Sequence, residues 1–312
     1  MIEISIIILV KNQKQSLLSA LNSLKRQIKN RRIFEVVICD DGSTDGAGEA
    51  VKKLRYPIFL KYFRNTPPLG RSANRNLGFE KSSGTDIIFL DGDMVPDDHY
   101  IEAMLGNLEP NIVKLGVPRH PKNMEFGRFE KYQYTRGRYS AEFKDRFLPS
   151  RLFTSNSFYI SRENYQKMNG FDDKFQGWGG EDIDFGLRLE KLDIKIENVP
   201  KAVTYHHHVR TLKSLAANYY DFGYNSFEYL IKKQPDFLKQ IPVHLLGFSG
   251  GATKINPLHR LISILTINRL ALKIVEKIVS SKINSNWPDY LFDYIIWGNL
   301  ALGYKNRRKN AV

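Results

Sequence analysis

Short apolar runs and helical segments alternate along the first hundred residues. The apolar runs predict β-strands, and they lie at residues 4–10, 34–39, 58–63 and 86–90. Between consecutive runs the pattern predicts helices, at residues 16–27, 45–54 and 70–81. Strands that alternate with helices imply right-handed βαβ units and a mainly parallel sheet with helices on both faces. We therefore predict an α/β fold in which ligands bind beyond the carboxyl ends of the strands.

The regular alternation ends near residue 110. Strands are predicted at residues 113–117 and 157–160, and helices at residues 183–191 and 211–233. Residues 125–140 are aromatic and basic without clean periodicity, which fits either a loop or an irregular helix. A long amphipathic pattern at residues 258–279 is followed by an aromatic stretch at residues 288–304. We expect an α/β domain over residues 1–210 and a helical C-terminal extension over residues 211–312.

The composition is that of an ordinary globular protein. Of the 312 residues, 42% are hydrophobic and 26% are charged, which excludes collagen-like, disordered and polytopic membrane classes. The single cysteine, Cys39, excludes an internal disulfide and a cysteine-rich zinc site, and it favours a reducing, cytoplasmic location. The apolar stretch at residues 2–10 carries Glu3 inside and has no basic segment before it, so we expect a buried strand there rather than a signal peptide.

A large excess of basic residues is the unusual property of the chain. It has 47 Lys and Arg against 33 Asp and Glu, which gives a net charge of +14. Half of this excess lies after residue 252, where ten basic residues accompany three acidic ones. Such a balance favours polyanions, phosphorylated ligands or an anionic membrane surface as partners.

Two acidic clusters directly follow predicted strands. Asp40-Asp41-Gly42-Ser43-Thr44-Asp45 follows the second strand, and Asp91-Gly92-Asp93 follows the fourth. The first cluster also suits a turn with a helix cap, for which Asp, Gly and Ser are common residues. In the second cluster, two carboxylates one residue apart repel each other unless a cation lies beside them. Asp91 and Asp93 are therefore candidates for cation binding.

Two more motifs lie in the second half of the chain. Gly177-Trp178-Gly179-Gly180-Glu181-Asp182 precedes a predicted helix, and capping explains its glycines and acids but not its tryptophan. His206-His207-His208 follows a predicted strand, where alternate residues would point to the same side. Taken alone, such a histidine run is more often a polar strand end than a set of ligands.

In this order and spacing, the motifs resemble those of family 2 glycosyltransferases with the GT-A fold. The resemblance covers roughly residues 1–210, and it includes residues 5–10 and 70–76. Residues 178–182 resemble the Trp-Gly-Gly-Glu-(Asp/Asn) signature of β-1,4-galactosyltransferases, polypeptide N-acetylgalactosaminyltransferases and bacterial chondroitin-type synthases. The resemblance implies a Rossmann-like domain, with a nucleotide-sugar half over residues 1–95 and an acceptor half over residues 96–210.

The resemblance also implies a metal site. Asp93 would ligate the metal directly, while Asp91, with Gly92 beside it, would contact the ribose or a metal-bound water. His206 would complete the metal shell, and His208 stays open as the alternative. A site with one imidazole suits Mn²⁺ better than Mg²⁺, which prefers all-oxygen sites, so Mn²⁺ is expected before Mg²⁺.

A UDP-sugar is the donor that the resemblance implies. Asp41 would accept a hydrogen bond from the uracil N3–H, and Leu9 would pack beside the base. Arg71 would contact the diphosphate, with Asn74 nearby. These residues follow predicted strands or begin a predicted helix, which is the edge where α/β sheets bind nucleotides.

The catalytic residues expected from the resemblance begin the helix after the tryptophan motif. Asp182 would be the base that takes the proton of the acceptor hydroxyl, and the helix N-terminus would keep its carboxylate ionised. Glu181 would hydrogen-bond sugar hydroxyls. Trp178 and Gly180 belong to the same binding loop, in which Trp178 would offer an apolar face to the acceptor sugar.

The function expected is inverting, metal-dependent transfer of a hexose or N-acetylhexosamine, with galactose-type sugars favoured, from a UDP-sugar to a glycan in bacterial surface polysaccharide or glycoconjugate synthesis. One alternative is a nucleotidyltransferase acting on sugar phosphates. Those enzymes usually carry a glycine-rich basic loop after the first strand, and residues 11–14 contain no glycine. A second alternative, a non-enzymatic nucleic-acid-binding protein, rests on charge alone, since no nucleic-acid module is recognisable.

The C-terminal extension leaves two interpretations open. Its helices would pack on the catalytic domain or on a second subunit, or they would rest on the inner face of the cell membrane. Aromatic residues at 290–297 and the basic residues at 305–309 suit the lipid headgroups and an anionic surface, respectively. In the second case the protein would be cytoplasmic but peripheral, and its acceptor a polyprenyl-diphosphate-linked glycan.

Overall fold

A computed structural model of the chain describes residues 2–28, 33–56, 58–121, 127–134, 145–175, 177–208, 210–241, 265–280 and 287–310. The chain forms two compact units. The first unit comprises Met1–Met124, Tyr134–Asp173 and Glu181–His208, and the second comprises Glu125–Gln133, Lys174–Gly180 and Val209–Val312.

The first unit is an α/β structure. Its strands are β1 Ile4–Val10, β2 Phe34–Asp40, β3 Phe59–Arg64, β4 Asp86–Asp91, β5 Met94–Pro96, β6 Ile112–Arg119, β7 Phe147–Leu148, β8 Ser157–Ser161 and β9 Lys195–His206. Its helices are α1 Lys14–Gln27, α2 Ala47–Lys52, α3 Arg71–Lys81, α4 Tyr100–Leu105, α6 Arg162–Lys167 and α7 Glu181–Lys191. A further helix, α5 Arg128–Tyr134, begins in the second unit and ends in the first.

The nine strands form one mixed sheet in the order β3-β2-β1-β4-β8-β6-β9-β5, with β7 paired to β9. Strands β1 to β4 are parallel to one another, and β6 is parallel to β9. The antiparallel strands β5, β7 and β8 lie in the second half of the sheet. The predicted α/β fold with a mainly parallel sheet and flanking helices is thus confirmed.

Two hydrophobic cores lie on opposite faces of this sheet. Every residue of β1 and β2 is buried, as expected for central parallel strands, because helices cover both faces. One face packs against the leucines of α1, among them Leu17 and Leu21. The other packs against α7, where Phe185 stacks on Phe171 with ring centroids 4.2 Å apart. The sheet is therefore a rigid platform for the loops at its carboxyl edge.

The second unit is helical. It contains α8 Leu212–Asp221, a π-helical turn at Phe222–Ser226, α9 Phe227–Lys233, α10 Arg269–Ser280 and α11 Asp289–Asn310. The predicted helix over residues 211–233 is therefore interrupted by a π turn. Two glycines allow the close approach of α11 at this turn: a Cβ on Gly223 would lie 2.0 Å from the carbonyl oxygen of Leu300, and one on Gly303 would lie 2.2 Å from that of Tyr220.

Two other sequence expectations fall partly outside the described residues. The aperiodic stretch at 125–140 contains α5, and its residues 125–126 and 135–140 are not among those described. The amphipathic pattern at 258–279 contains α10, and its residues 258–264 are likewise outside the described ranges. Among the described residues, no helix combines the length and the apolar character needed to cross a membrane.

Candidate active site

Asp41 lies at the carboxyl end of β2 and is tied to two neighbouring loops. Its N–H donates to the carbonyl of Val10, over 2.9 Å. Its buried carboxylate accepts the backbone N–H groups of Leu69, at 2.6 Å, and Gly70, at 3.3 Å. The predicted uracil partner is therefore fixed in position by the loop that precedes α3.

Asn74 and Arg71 lie on the first turn of α3 but have different surroundings. The Asn74 side chain is buried: its Oδ1 accepts from Asn65 Nδ2 at 2.8 Å, and its Nδ2 donates to the carbonyl of Cys39 at 3.0 Å. It therefore anchors α3 to the end of β2. Arg71 is the first residue of α3 and is exposed, so its guanidinium is accessible to an anion.

Gly92 holds the Asp91-Gly92-Asp93 segment against β1. Its N–H donates to the carbonyl of Leu9 over 2.7 Å. A Cβ at Gly92 would lie 2.9 Å from both this oxygen and Oε1 of Gln13, which is too close for any side chain. Only glycine allows the backbone between the two aspartates to approach β1 so closely.

Asp93 and His206 form a carboxylate–imidazole pair. Strand β5 pairs with β9 in the register Met94↔His206, and the N–H of His207 donates to the carbonyl of Asp93 at 2.9 Å. This pairing brings Nε2 of His206 to 3.4 Å from Oδ2 of Asp93, with both side chains largely buried. The structure thus places His206, one of the two histidines left open by the sequence, beside Asp93.

The donor set of this pair fits a divalent metal. One imidazole and one carboxylate are ligands that suit Mn²⁺, provided that the substrate or water supplies the remaining oxygens. No cluster of three or more His, Cys, Asp or Glu suited to a metal occurs among the residues that the structure describes. Asp93 and His206 are therefore two candidate ligands at this position.

Tyr134 is a residue that the sequence did not indicate. Its hydroxyl shares a hydrogen bond with Nδ1 of His206, so Nε2 is the nitrogen that faces Asp93. Its ring also packs on His120, with centroids 4.0 Å apart. Tyr134 lies within the aperiodic aromatic stretch, where no spacing distinguishes it from its neighbours.

His207 and His208 lie beyond the end of β9 and line an open cavity. The cavity has a volume of about 570 Å³, and its other lining residues include Lys14, Asp45 and Asp93. The strand ends at His206, and the ring of His208 lies with its centre 6.2 Å from that of His206.

Arg75 is a second residue that the sequence analysis missed. Its guanidinium is buried, with Nη2 donating to Oδ1 of Asp91 at 3.0 Å and the group lying 5.3 Å from the ring centre of Phe171. Nε and Nη1 have no hydrogen-bond partner among the described residues. Burial opposes its charge, but the nearby Asp91, Asp182 and Glu181 outweigh it and raise the pKa of Arg75. Arg75 is thus a buried cation among carboxylates.

Glu181 and Asp182 begin α7, and both lie near enough to Arg75 for their charges to act on it. Oδ2 of Asp182 accepts the N–H of Ser155 at 3.2 Å, and its buried Oδ1 has no hydrogen-bond partner among the described residues. Burial, followed by the charge of Asp182, raises the pKa of Glu181 to about 7, against the opposing effects of Arg75 and Arg71. Burial also raises the pKa of Asp91, and the negative charges of Asp93 and Asp182 raise it further.

Trp178 and Gly180 belong to the second unit. The Trp178 N–H donates to Oδ2 of Asp221 at 2.7 Å, and its indole packs against Tyr219, with centroids 5.3 Å apart. Gly180 has φ +99°, and a Cβ there would lie 2.8 Å from the ring of Phe175. The glycines of this motif therefore allow a backbone with positive φ, which residues with side chains rarely adopt. The capping interpretation did not include this role.

These acidic loops lie on an α/β sheet of the GT-A type, and comparison with known families agrees with this class. Residues 5–168 match the family described as Glycosyl transferase family 2, which is more than half of the chain. The chain therefore belongs to glycosyl transferase family 2. Residues 136–212 also match the family described as N-terminal domain of galactosyltransferase, in agreement with the resemblance of residues 178–182.

Several characterised glycosyltransferases are similar in sequence. Validoxylamine A glucosyltransferase of Streptomyces hygroscopicus subsp. jinggangensis is 29% identical over 216 residues, which cover 60% of this chain and 51% of the relative. Chondroitin synthase of Pasteurella multocida is 28% identical over 238 residues, 66% of this chain and 25% of the relative. The chain thus spans about half or less of the length of these relatives.

Solved glycosyltransferase structures share the fold. The mannosyltransferase PcManGT of Pyrobaculum calidifontis, in complex with GDP-Man and Mn²⁺, has a TM-score of 0.66 at 14% identity, covering 99% of this chain and 88% of its own. GalNAc-T7 with UDP, GalNAc and Mn²⁺ has a TM-score of 0.53 at 15% identity, and the match covers 85% of this chain and 54% of that chain. The GT-A fold with C-terminal helices is confirmed.

Proposed function

We propose that this family 2 glycosyltransferase moves a hexose or N-acetylhexosamine from a UDP-sugar to a glycan acceptor, with inversion at the anomeric carbon. The observation that carries this proposal is the placement of two functional groups in one unit. The Asp93–His206 pair suits a metal, and the Asp182 carboxylate has one oxygen without a partner among the described residues. Family membership favours glycosyl transfer over nucleotidyl transfer, and over a non-enzymatic role in binding nucleic acid.

The donor half of the reaction uses the loops at the carboxyl edge of the sheet. Asp93 and His206 would hold Mn²⁺, and the metal would supply positive charge to neutralise the departing diphosphate. Asp91 would contact the ribose, and Asp41 would accept the uracil N3–H with lone pairs not used by the loop amides. Leu9 lies at the end of β1, beside Gly92, where it would pack on the base.

The acceptor half of the reaction uses the start of α7. The acceptor hydroxyl attacks the anomeric carbon as the bond to the diphosphate breaks, and its proton passes to Oδ1 of Asp182. Glu181 would hydrogen-bond a sugar hydroxyl, and Trp178 would pack against the acceptor sugar. Attack from the face opposite the leaving diphosphate converts an α-linked donor into a β-linked product.

A galactose-type sugar is the donor that we favour. The match of residues 136–212 to a galactosyltransferase domain supports it, as does the similarity to chondroitin synthase. We place the reaction in the synthesis of bacterial surface polysaccharide or glycoconjugate. The acceptor that we propose is a polyprenyl-diphosphate-linked glycan, reached by a cytoplasmic protein held peripherally at the inner face of the membrane.

Release of UDP from a panel of UDP-sugars tests this function. With Mn²⁺ present, we expect the parent to release UDP from UDP-galactose or UDP-N-acetylgalactosamine faster than from the gluco-configured donors. EDTA and the Asp93→Ala variant should both abolish this release. If no UDP-sugar is hydrolysed or transferred while a GDP-sugar is, the UDP assignment is wrong. If glucose-type donors react faster, the galactose preference is wrong.

A further inference from the structure

Helix α10 exposes an apolar stripe. Leu270, Ile274 and Ile278 recur every four residues and are 70%, 50% and 46% exposed. The opposite side of the helix is internal, because Leu272 and Val279 are buried. Residues four apart lie on one face of a helix, so the three exposed side chains form a continuous stripe.

A row of cations borders this stripe. Arg269, Lys273 and Lys277 also recur every four residues, one position before each apolar residue, and all three are exposed. One position corresponds to about 100° around the helix axis, so the basic row runs beside the apolar stripe along the helix. We name the stripe and the row together the α10 surface.

The aromatic stretch at 290–297 does not offer a comparable surface. Phe292, Ile295 and Ile296 of α11 are buried in the core of the second unit, beside Leu215 and Phe129. Tyr290 is the exposed large residue of this stretch. The side chains expected from the sequence to meet lipid headgroups are therefore largely internal.

We propose that the α10 surface binds an anionic lipid bilayer, with the apolar stripe inserted at the level of the headgroups and the basic row against lipid phosphates. An apolar face beside cations is the chemistry that interfacial helices use. A second copy of this chain would bring the same cations and a net charge of +14, whereas anionic lipid brings the opposite charge. The inference rests on the proposed function, because binding to the membrane would bring the enzyme to its lipid-linked acceptor.

Vesicle co-sedimentation of the full chain tests the proposal. Vesicles of phosphatidylglycerol and phosphatidylcholine in equal parts should bind the parent, and pure phosphatidylcholine should bind it far less. Lys273→Gln with Lys277→Gln should weaken binding roughly fivefold per lysine. The matched control, Lys52→Gln with Lys53→Gln, makes the same charge change at exposed residues of the first unit and should keep most of the binding.

The apolar stripe is tested separately. The triple variant Leu270→Gln, Ile274→Gln and Ile278→Gln should weaken vesicle binding by roughly tenfold or more, since it removes the groups that insert. Its control exchanges three exposed leucines of the first unit, Leu54→Gln, Leu108→Gln and Leu192→Gln, and should bind as the parent does. Thermal unfolding checks that each variant folds. If the triple variant does not fold, the lysine variant still tests the proposal independently.

Three results would overturn the proposal: no binding of the parent to anionic vesicles at low salt, equal losses in the control variants, or a dimer in analytical ultracentrifugation that the triple variant dissociates. Equal losses would indicate attraction by overall charge alone. UDP release from a soluble donor is measured in parallel. Because the α10 variants should keep this activity, lost vesicle binding with intact UDP release is distinct from a failure of the proposed function.

Discussion

The hydroxyl of Tyr134 and Nδ1 of His206 share a hydrogen bond, which leaves Nε2 as the nitrogen that faces Asp93. For Nε2 to bind a metal, Nδ1 must carry the proton and donate it to the tyrosine oxygen. Groups that orient a ligating histidine in this way commonly contribute 10-fold to 100-fold to metal affinity. The pair therefore links a residue of the aperiodic stretch to the proposed metal site.

Tyr134→Phe removes this hydrogen bond and keeps the ring. We expect about 10-fold weaker Mn²⁺ binding to the UDP-saturated protein, measured by electron paramagnetic resonance of free Mn²⁺. Tyr205→Phe is the matched control, because its hydroxyl donates to Asp97 on the same part of the sheet, at 3.1 Å. His206→Ala should weaken Mn²⁺ binding more than Tyr134→Phe does. Unchanged Mn²⁺ affinity in His206→Ala would instead remove His206 from the metal shell.

Arg75 should be needed for stability as well as for the site. Arg75→Met removes the buried guanidinium from the partly exposed Asp91, and loss of such a charge-assisted hydrogen bond costs about 2 kcal/mol. Arg26→Met breaks an exposed ion pair with Asp98, at 2.8 Å, and should cost less than about 1 kcal/mol. Urea unfolding of both variants measures the difference. Equal free energies of unfolding would show that Asp91 does not depend on Arg75.

The sequence predicted the parts of this site that lie within single elements. Asp41, Asp91 and Asp93 follow strands made of continuous apolar runs, and such runs are recognisable because central parallel strands are buried on both faces. Strands β5 and β7, of three and two residues, are too short to show any periodicity. The pairing of β5 with β9 therefore had no signal in the hydrophobic pattern, and only the family resemblance had put Asp93 and His206 in one metal site.

Arg75 and Tyr134 were missed for a different reason. Arginine is an ordinary residue in a helix, and the burial of Arg75 depends on Asp91 and on Phe171, which are far away along the chain. Tyr134 acquires its role from a strand that ends 72 residues later. Contacts of this kind are made by the tertiary fold, so local spacing does not indicate them.

Glu181 should make the stability of the protein depend on pH near neutrality. Its pKa is raised to about 7 in the folded chain, above its ordinary value of 4.5, so the folded state binds more protons between these values. The free energy of unfolding therefore falls as pH rises through this window, by on the order of 3 kcal/mol. Glu181→Gln should flatten this pH dependence of the free energy of unfolding. Urea unfolding between about pH 5 and 8 measures it, because this range covers the titration of Glu181 in the folded chain. The exposed Glu80→Gln should keep the slope of the parent.

Asp182→Asn should separate proton transfer from binding. Asparagine keeps the shape and the acceptor for the Ser155 N–H, but it cannot take a proton from the acceptor hydroxyl. We expect kcat to fall by roughly 10²–10⁴, while calorimetry gives a donor affinity within a few-fold of the parent. Asp173→Asn, at an exposed residue of the same unit, is the control and should keep kcat. A kcat for Asp182→Asn within a few-fold of the parent would eliminate Asp182 as the base.

The product of an α-linked donor should be β-linked. An α-linked product from an α-linked donor, identified by NMR, would contradict inversion, because a base on the acceptor side acts only when the hydroxyl attacks opposite the leaving diphosphate.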